Sequence, residues 1–222
     1  MKLSEHTVEV LKNFATINQN LVIKEGNTLT TMSAMKNIVA KAEVSESFER
    51  EVAIYDLNEF LASLSLFKSP VLEFDESFVT IKEENTTTSL KYFYSDPSVV
   101  TTPSKTIKMP SKEVTFSLKG EDLTKLKRAA GVIGAPDLVL EKKDTGSFLT
   151  VKDKKNDTAN TYSLDVTTTS EGNFNCFFTV ENLKVMDGNY DVEISSKNIS
   201  HLSSSNKDVE YWVALEPEST YE

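Results

Sequence analysis

The sequence predicts an α+β protein of two similar domains, each with antiparallel sheets and two helices packed on one face. Three observations predict it. Helix and strand signals follow the same order in both halves of the 222 residues. Strand signals come in runs rather than alternating strictly with helices, which favours antiparallel sheets. Between the halves lies "SDPSVVTTPSKTIKMPSKE", whose prolines at 97, 103 and 110 suit neither a helix nor a central strand. The connector is therefore expected at about residues 95–112, separating domains 1–110 and 111–222.

The first half opens with "LSEHTVEVLKNFATINQNLVIKEG". Ser4 is suited to cap a helix, and Val8, Leu11 and Ala15 recur at the spacing of one buried face. "LVIKEG" reads as a strand entering a turn at Gly26. The second half repeats the plan in "SLKGEDLTKLKRAAGVIGAPDLVLEKKDTGSFLTVK", with Leu123, Leu126 and Ala130 as the helical face and two strands after it. Leu3 matches Leu118 and Leu11 matches Leu126 at an offset of 115; Ile23 matches Leu140 at 117, and Leu29 matches Leu149 at 120. A second pair follows. "VAIYDLNEFLASLSL" gives a strand and a helix from about Asp56, and "NCFFTVENLKV" a strand and a shorter helix from about Glu181. Both halves continue through further strands to an aromatic one, "SLKYFYS" and "DVEYWVALE". Self-similarity over so long a period marks two copies of one structural unit.

Lys and Arg number 24 against 34 Asp and Glu, a net charge of −10. Bulk attraction to nucleic acid is excluded by that balance, but a local basic face is not. One such face is "GEDLTKLKRAAG", where Lys125, Lys127 and Arg128 crowd one helical segment. Taken alone, these residues fit a solvated helix with Glu121 and Asp122 at its positive end and the cations further on. At an offset of 115, Lys12 stands where Lys127 does, and Val10 and Asn13 replace Lys125 and Arg128. Lys68 and Lys184 lie at or near the second helix of each copy.

No uninterrupted apolar run approaches the ~18 residues of a membrane span, and "MKLSEHTVEV" lacks the apolar stretch of a secretory signal. A single cysteine, Cys176, suits a reducing compartment, so a cytoplasmic protein is expected. Catalysis has little support. His6 falls at a helix start, His201 in a serine-rich loop, and Cys176 in an aromatic strand where it reads as a small buried hydrophobe. Asp75–Glu76 and Glu83–Glu84 flank strand turns and are expected to stay in water rather than bind metal. Neither a phosphate-binding glycine loop nor paired Cys/His spacing occurs, so no enzyme activity, metal or cofactor is expected. "KDKKND" at 152–157 reads as a solvated hairpin loop, with a DNA-backbone contact as the lesser reading. Two other classes stay open on these residues: a duplicated β-rich structural or adaptor protein, and more remotely a metal-dependent nuclease.

From end to end, "MKLSEHTVEVLKNFATIN", "VAIYDLNEFLASLSL", "DPSVVTTPSK" and "VALEPESTYE" resemble, in the right order, the sliding clamps of T-even-type bacteriophages. Those proteins are the processivity factors of the phage DNA polymerases. The resemblance implies a homotrimeric ring of six domains, helices lining a hole for duplex DNA, and antiparallel sheets forming an outer wall continuous between subunits. It further implies an ATP-driven clamp loader, tethering of the polymerase and of late-transcription factors, and a place in the cytoplasm of an infected bacterium. On this reading the DNA-facing residues are Lys12, Lys125, Lys127, Arg128 and Lys184. Such clamps hold partner peptides in an apolar pocket beside the connector, for which Ile107, Met109, Ala214, Leu215 and Pro217 are the expected walls. Ile107 and Met109 suit equally a role in pinning the connector to the sheet. Trp212 is expected in the core, and "EPESTYE" as a solvated acidic tail.

Overall fold

A computed structural model describes residues 1–103, 106–170 and 172–222. Ser104 and Lys105 of the expected connector, and Glu171, lie outside the described residues. The chain divides into two compact units, Met1–Lys105 and Thr106–Glu222.

Unit 1 runs α1 (Glu5–Ile17), β1 (Leu21–Ile23), β2 (Gly26–Met32), β3 (Ile38–Phe48), β4 (Val52–Ile54), α2 (Leu57–Ser65), β5 (Pro70–Phe74), β6 (Phe78–Glu83) and β7 (Ser89–Phe93). Antiparallel pairing joins β1 to β4, β2 to β3, and β5 through β6 to β7. Ser4 caps α1 as expected, its Oγ accepting from the Thr7 N–H at 3.2 Å. What the local sequence does not show is Glu46 of β3, whose carboxylate accepts from the Ser4 N–H and the Thr7 hydroxyl. Burial pushes that carboxyl up, and the hydrogen bonds from Thr7 and Ser4 outweigh burial and hold it below its ordinary 4.5. Asp56 caps α2, accepting from the N–H groups of Asn58 and Glu59 at 2.9 and 3.1 Å.

Unit 2 runs β8 (Val114–Leu118), α3 (Gly120–Ile133), β9 (Asp137–Lys143), β10 (Gly146–Lys152), β11 (Tyr162–Val166), β12 (Phe174–Thr179), β13 (Tyr190–Ser195), β14 (Ile199–Ser204), β15 (Val209–Ala214) and β16 (Thr220–Tyr221). One sheet has the order β11-β10-β9-β12-β16. A second joins β8, β13, β14 and β15 in that order, again antiparallel. Lys119 offers α3 no side-chain cap. Asn189 supplies it from across the unit, its Oδ1 accepting from the Gly120 N–H at 2.8 Å. The approach is tight enough that a Cβ on Gly120 would lie 2.9 Å from the Gly188 carbonyl oxygen.

Three expectations are corrected. Residues Val180–Asn182 make a single 3-10 turn, not a helix. Only a few residues separate β12 from the Asp187-Gly188-Asn189 turn, and an α-helix of so little length does not sustain itself. Leu183, Val185 and Met186 bury their side chains there instead. The freed backbone is satisfied by side chains: the Tyr190 hydroxyl donates to the Met186 carbonyl at 2.6 Å, and the Met186 N–H donates to the Tyr211 hydroxyl at 3.2 Å. Secondly, His201 lies in β14, not a loop, stacked on Trp212 at 4.9 Å with Glu210 2.9 Å from its Nε2. Thirdly, "EPESTYE" is not a free tail. It lies along β12, with Tyr221 opposite Phe174 and Thr220 opposite Asn175. Trp212 and Cys176 are buried as expected.

Candidate nucleic-acid interface

The cations singled out in the sequence have different fates, and helix geometry decides which. In α1 the buried side chains are Thr7, Val10, Leu11, Phe14 and Ile17, so of the Val8–Leu11–Ala15 stripe read from the sequence Leu11 is in the core, while Val8 and Ala15 flank it half-buried. In α3 they are Leu123, Leu126 and Ala130. Thr7, Val10 and Phe14 each precede one of these by 116 residues, not by 115. The extra residue falls in the first turn of α3, which has 14 residues to the 13 of α1. With that shift Lys12 is the counterpart of Arg128, and both are exposed. Lys127 is the counterpart of Leu11, which is fully buried.

That position explains what Lys127 does. Its stem lies half-buried against the 183–187 segment, and its Nζ donates to the Val185 carbonyl at 3.1 Å. Burial pulls its ammonium pKa down, with Asp187 opposing. Lys127 thus satisfies backbone where the expected second helix is missing. Lys125 is exposed, but Asp122 and Glu121 hold its ammonium at 3.2 and 3.8 Å, and the Asp122 hydrogen bond raises its pKa. Lys184 is half-buried and engaged. Among the described residues, Lys12 and Arg128 are the exposed cations of the set that make no ion pair. In unit 1 a groove of about 640 Å³ between α1 and α2 carries Lys2, Lys12 and Lys68 on its rim, alongside Glu5 and Glu9.

The residues expected at a partner pocket are placed as follows. Ile107 and Met109 are half-buried. Ala214 ends β15 opposite Ile199, and Leu215 is buried with its N–H donating to the Asn198 carbonyl at 2.9 Å. Pro217 is exposed. Beyond Leu215 the chain turns onto β12 through the Glu216 N–H, which donates to the Phe177 carbonyl at 2.8 Å.

Known proteins share this plan. Residues 2–102 match the family model described as DNA polymerase processivity factor, and residues 115–217 the one described as gp45 sliding clamp, C terminal. The sliding clamp of Vibrio phage KVP40 is 33% identical over 97% of this chain and 99% of its own length. That of Escherichia phage RB69 is 31% identical over 100% of both. Among solved structures, the A. fulgidus PCNA bound to the C-terminal region of FEN-1 superposes with a TM-score of 0.69 at 14% identity, covering 96% of each chain. The fold is that of the clamps. With identity sustained along the whole chain, this protein belongs to the bacteriophage sliding-clamp family, the processivity factors of phage DNA polymerases.

Proposed function

We propose that three copies of the chain close head to tail into a ring of six domains, taken as residues 1–110 and 111–222 of each, around duplex DNA. The ring tethers the replicative polymerase in the cytoplasm of the infected host. The observation that carries this reading is the duplication with one exposed cation at the same helical place in each copy, Lys12 and Arg128. Head-to-tail contacts form closed rings when the rotation per copy closes. Two sheet edges suit such a joint: among the described strands β7 pairs only with β6 and β11 only with β10. They expose Phe93 and Tyr162, at 66% and 38%.

A closed ring is held by topology, so few phosphate contacts suffice, and few contacts leave it mobile. Each one adds about −0.9 to the slope of log binding against log salt. Contacts to backbone rather than base edges carry no sequence preference. The surplus of acidic residues repels DNA elsewhere on the surface. On this account Lys12, Lys125 and Arg128 meet phosphate, with Lys184 secondary and Lys127 structural. Ile107, Met109, Ala214, Leu215 and Pro217 border a partner-peptide pocket. An ATP-driven loader opens the ring, and late-transcription factors share it.

We further read the protein as a non-catalytic accessory. Burial pushes the Cys176 thiol up to about 12, which removes it as a nucleophile at neutral pH. Among the described residues no cluster of His, Cys, Asp or Glu is arranged to hold a metal ion. The test is retention after loading by the cognate loader on closed circular duplex. Release on cutting the circle is the expected result. Equal retention on linear and circular DNA removes the encirclement reading.

A further inference from the structure

The "KDKKND" loop has no part in the account above, and the structure puts it to use. It follows β10 and lies beside β12, the strand whose outer edge carries residues 216–222. Lys154 is its centre. Its Nζ meets Glu218 at 2.5 Å, Asp137 at 3.4 Å and Glu216 at 3.9 Å, with only 18% of the side chain exposed. Lys152 and Lys154 both hold their ammonium groups within 6 Å of the Phe177 ring, at 5.9 and 5.8 Å. In a chain of net charge −10 three lysines gather in this loop, interleaved with Asp153 and Asp157 and facing Asp137, and an acidic stretch of the same chain lies against Lys154.

That filling is incomplete. β12 has six residues, yet the ladder to β16 comprises two pairs at the Phe174 end. Further along, the Phe177 N–H donates to the Ser219 hydroxyl at 3.0 Å instead of to a backbone carbonyl. Tyr221 brings a buried hydroxyl whose neighbour is the Cys176 thiol, a weak partner. Beside the strand, a cavity of about 270 Å³ lined by Lys152, Lys154, Asn156, Thr161 and Phe177, with Asp153 and Asp157 also on its wall, stays open. An extended strand without a proline would complete the ladder, keep the carboxylate contacts and place a side chain in that cavity.

We propose that the β12 edge and the Lys152–Lys155 loop form a docking site for an extended acidic segment of a partner protein, held shut in the free chain by residues 216–222. The site adjoins the pocket beside the connector, since Pro217 belongs to both, but its docking edge is β12 and its loop is Lys152–Lys155. Residues 216–222 act as an internal competitor, and any change that loosens them raises the competent fraction.

The probe is a labelled acidic peptide copying residues 215–222 with alanine in place of the proline, read by fluorescence anisotropy with the full-length chain. In the E218A/S219A variant, which removes the Lys154 ion pair and the Phe177 N–H acceptor, binding is expected to tighten by about tenfold over the parent. Lys152→Ala in that background weakens it again. In the parent chain, saturating peptide speeds hydrogen exchange at the Glu216 and Glu222 amides, whose carbonyl partners are Phe177 and Asn173. Equal affinity for parent and variant overturns the proposal, and so does binding without faster exchange at those amides. Binding of a short duplex oligonucleotide in place of the peptide, lost on Lys152→Ala, reassigns the loop to DNA and also overturns it.

Discussion

Replacing Tyr190 with phenylalanine tests how unit 2 dispenses with a second helix. The ring is 1% exposed and sits edge-on to Tyr211 at 6.1 Å, so phenylalanine preserves packing and removes only the hydroxyl. That hydroxyl donates to the Met186 carbonyl and is hydrogen-bonded to the Tyr211 hydroxyl, which accepts from the Met186 N–H. A closed circuit of polar groups in a dry site thus loses a member, and a carbonyl is left buried. Leaving one buried group unsatisfied costs roughly 1–3 kcal/mol, so a loss of about 2 kcal/mol is expected, and in a chain of this size about 4–8 °C in Tm. Urea unfolding followed by Trp212, the single tryptophan and a unit 2 residue, reads it. Tyr211→Phe should cost a similar amount, and the double variant less than the sum, because both serve one circuit. A loss below about 0.5 kcal/mol, or strict additivity, refutes the idea that these hydroxyls hold the non-helical segment.

Charge reversal by Lys125→Glu with Arg128→Glu should leave folding intact and impair loading or processive synthesis on circular DNA. Lys127→Met should change thermal stability and leave loading and processive synthesis within about twofold, since its ammonium is engaged by the Val185 carbonyl. Glu46 gives unit 1 an acid limit. With its folded pKa below 4.5, its contribution is complete above that value and is lost as pH falls through the depressed one. A fluorescence-independent probe such as circular dichroism across acid pH should show Glu46→Gln flattening that slope. Gly120→Ala forces a Cβ to 2.9 Å from the Gly188 carbonyl, a backbone atom with no freedom to yield, and should cost about 1–3 kcal/mol by urea titration.

Much of this molecule was legible in its sequence because its signals are local and repeated. Ser4, Asp56 and the strand alternations declare their elements within a few residues, and duplication doubles each signal. What was illegible depends on contacts distant in sequence. Glu46 reaches α1 from β3, and Asn189 caps α3 from 69 residues away. The aligned apolar positions suggested equivalence of Lys12 with Lys127, yet one inserted residue in the first turn of α3 carries Lys127 into the core-facing place of Leu11. "VENLKVMD" has helix-forming residues but too few before a glycine turn, so packing of Leu183, Val185 and Met186 wins over propensity. "EPESTYE" reads as solvated by composition alone, because nothing local reveals that Lys154 and the β12 edge await it.

The six-domain ring is the central claim, and sedimentation equilibrium tests it most directly. The chain mass is 24.8 kDa. A species of three chain masses, dissociating to single chains on dilution with no dimer plateau, is the result this account predicts. A monomer persisting at high concentration contradicts the ring and turns the duplicated fold into an adaptor that meets DNA, if at all, from one side.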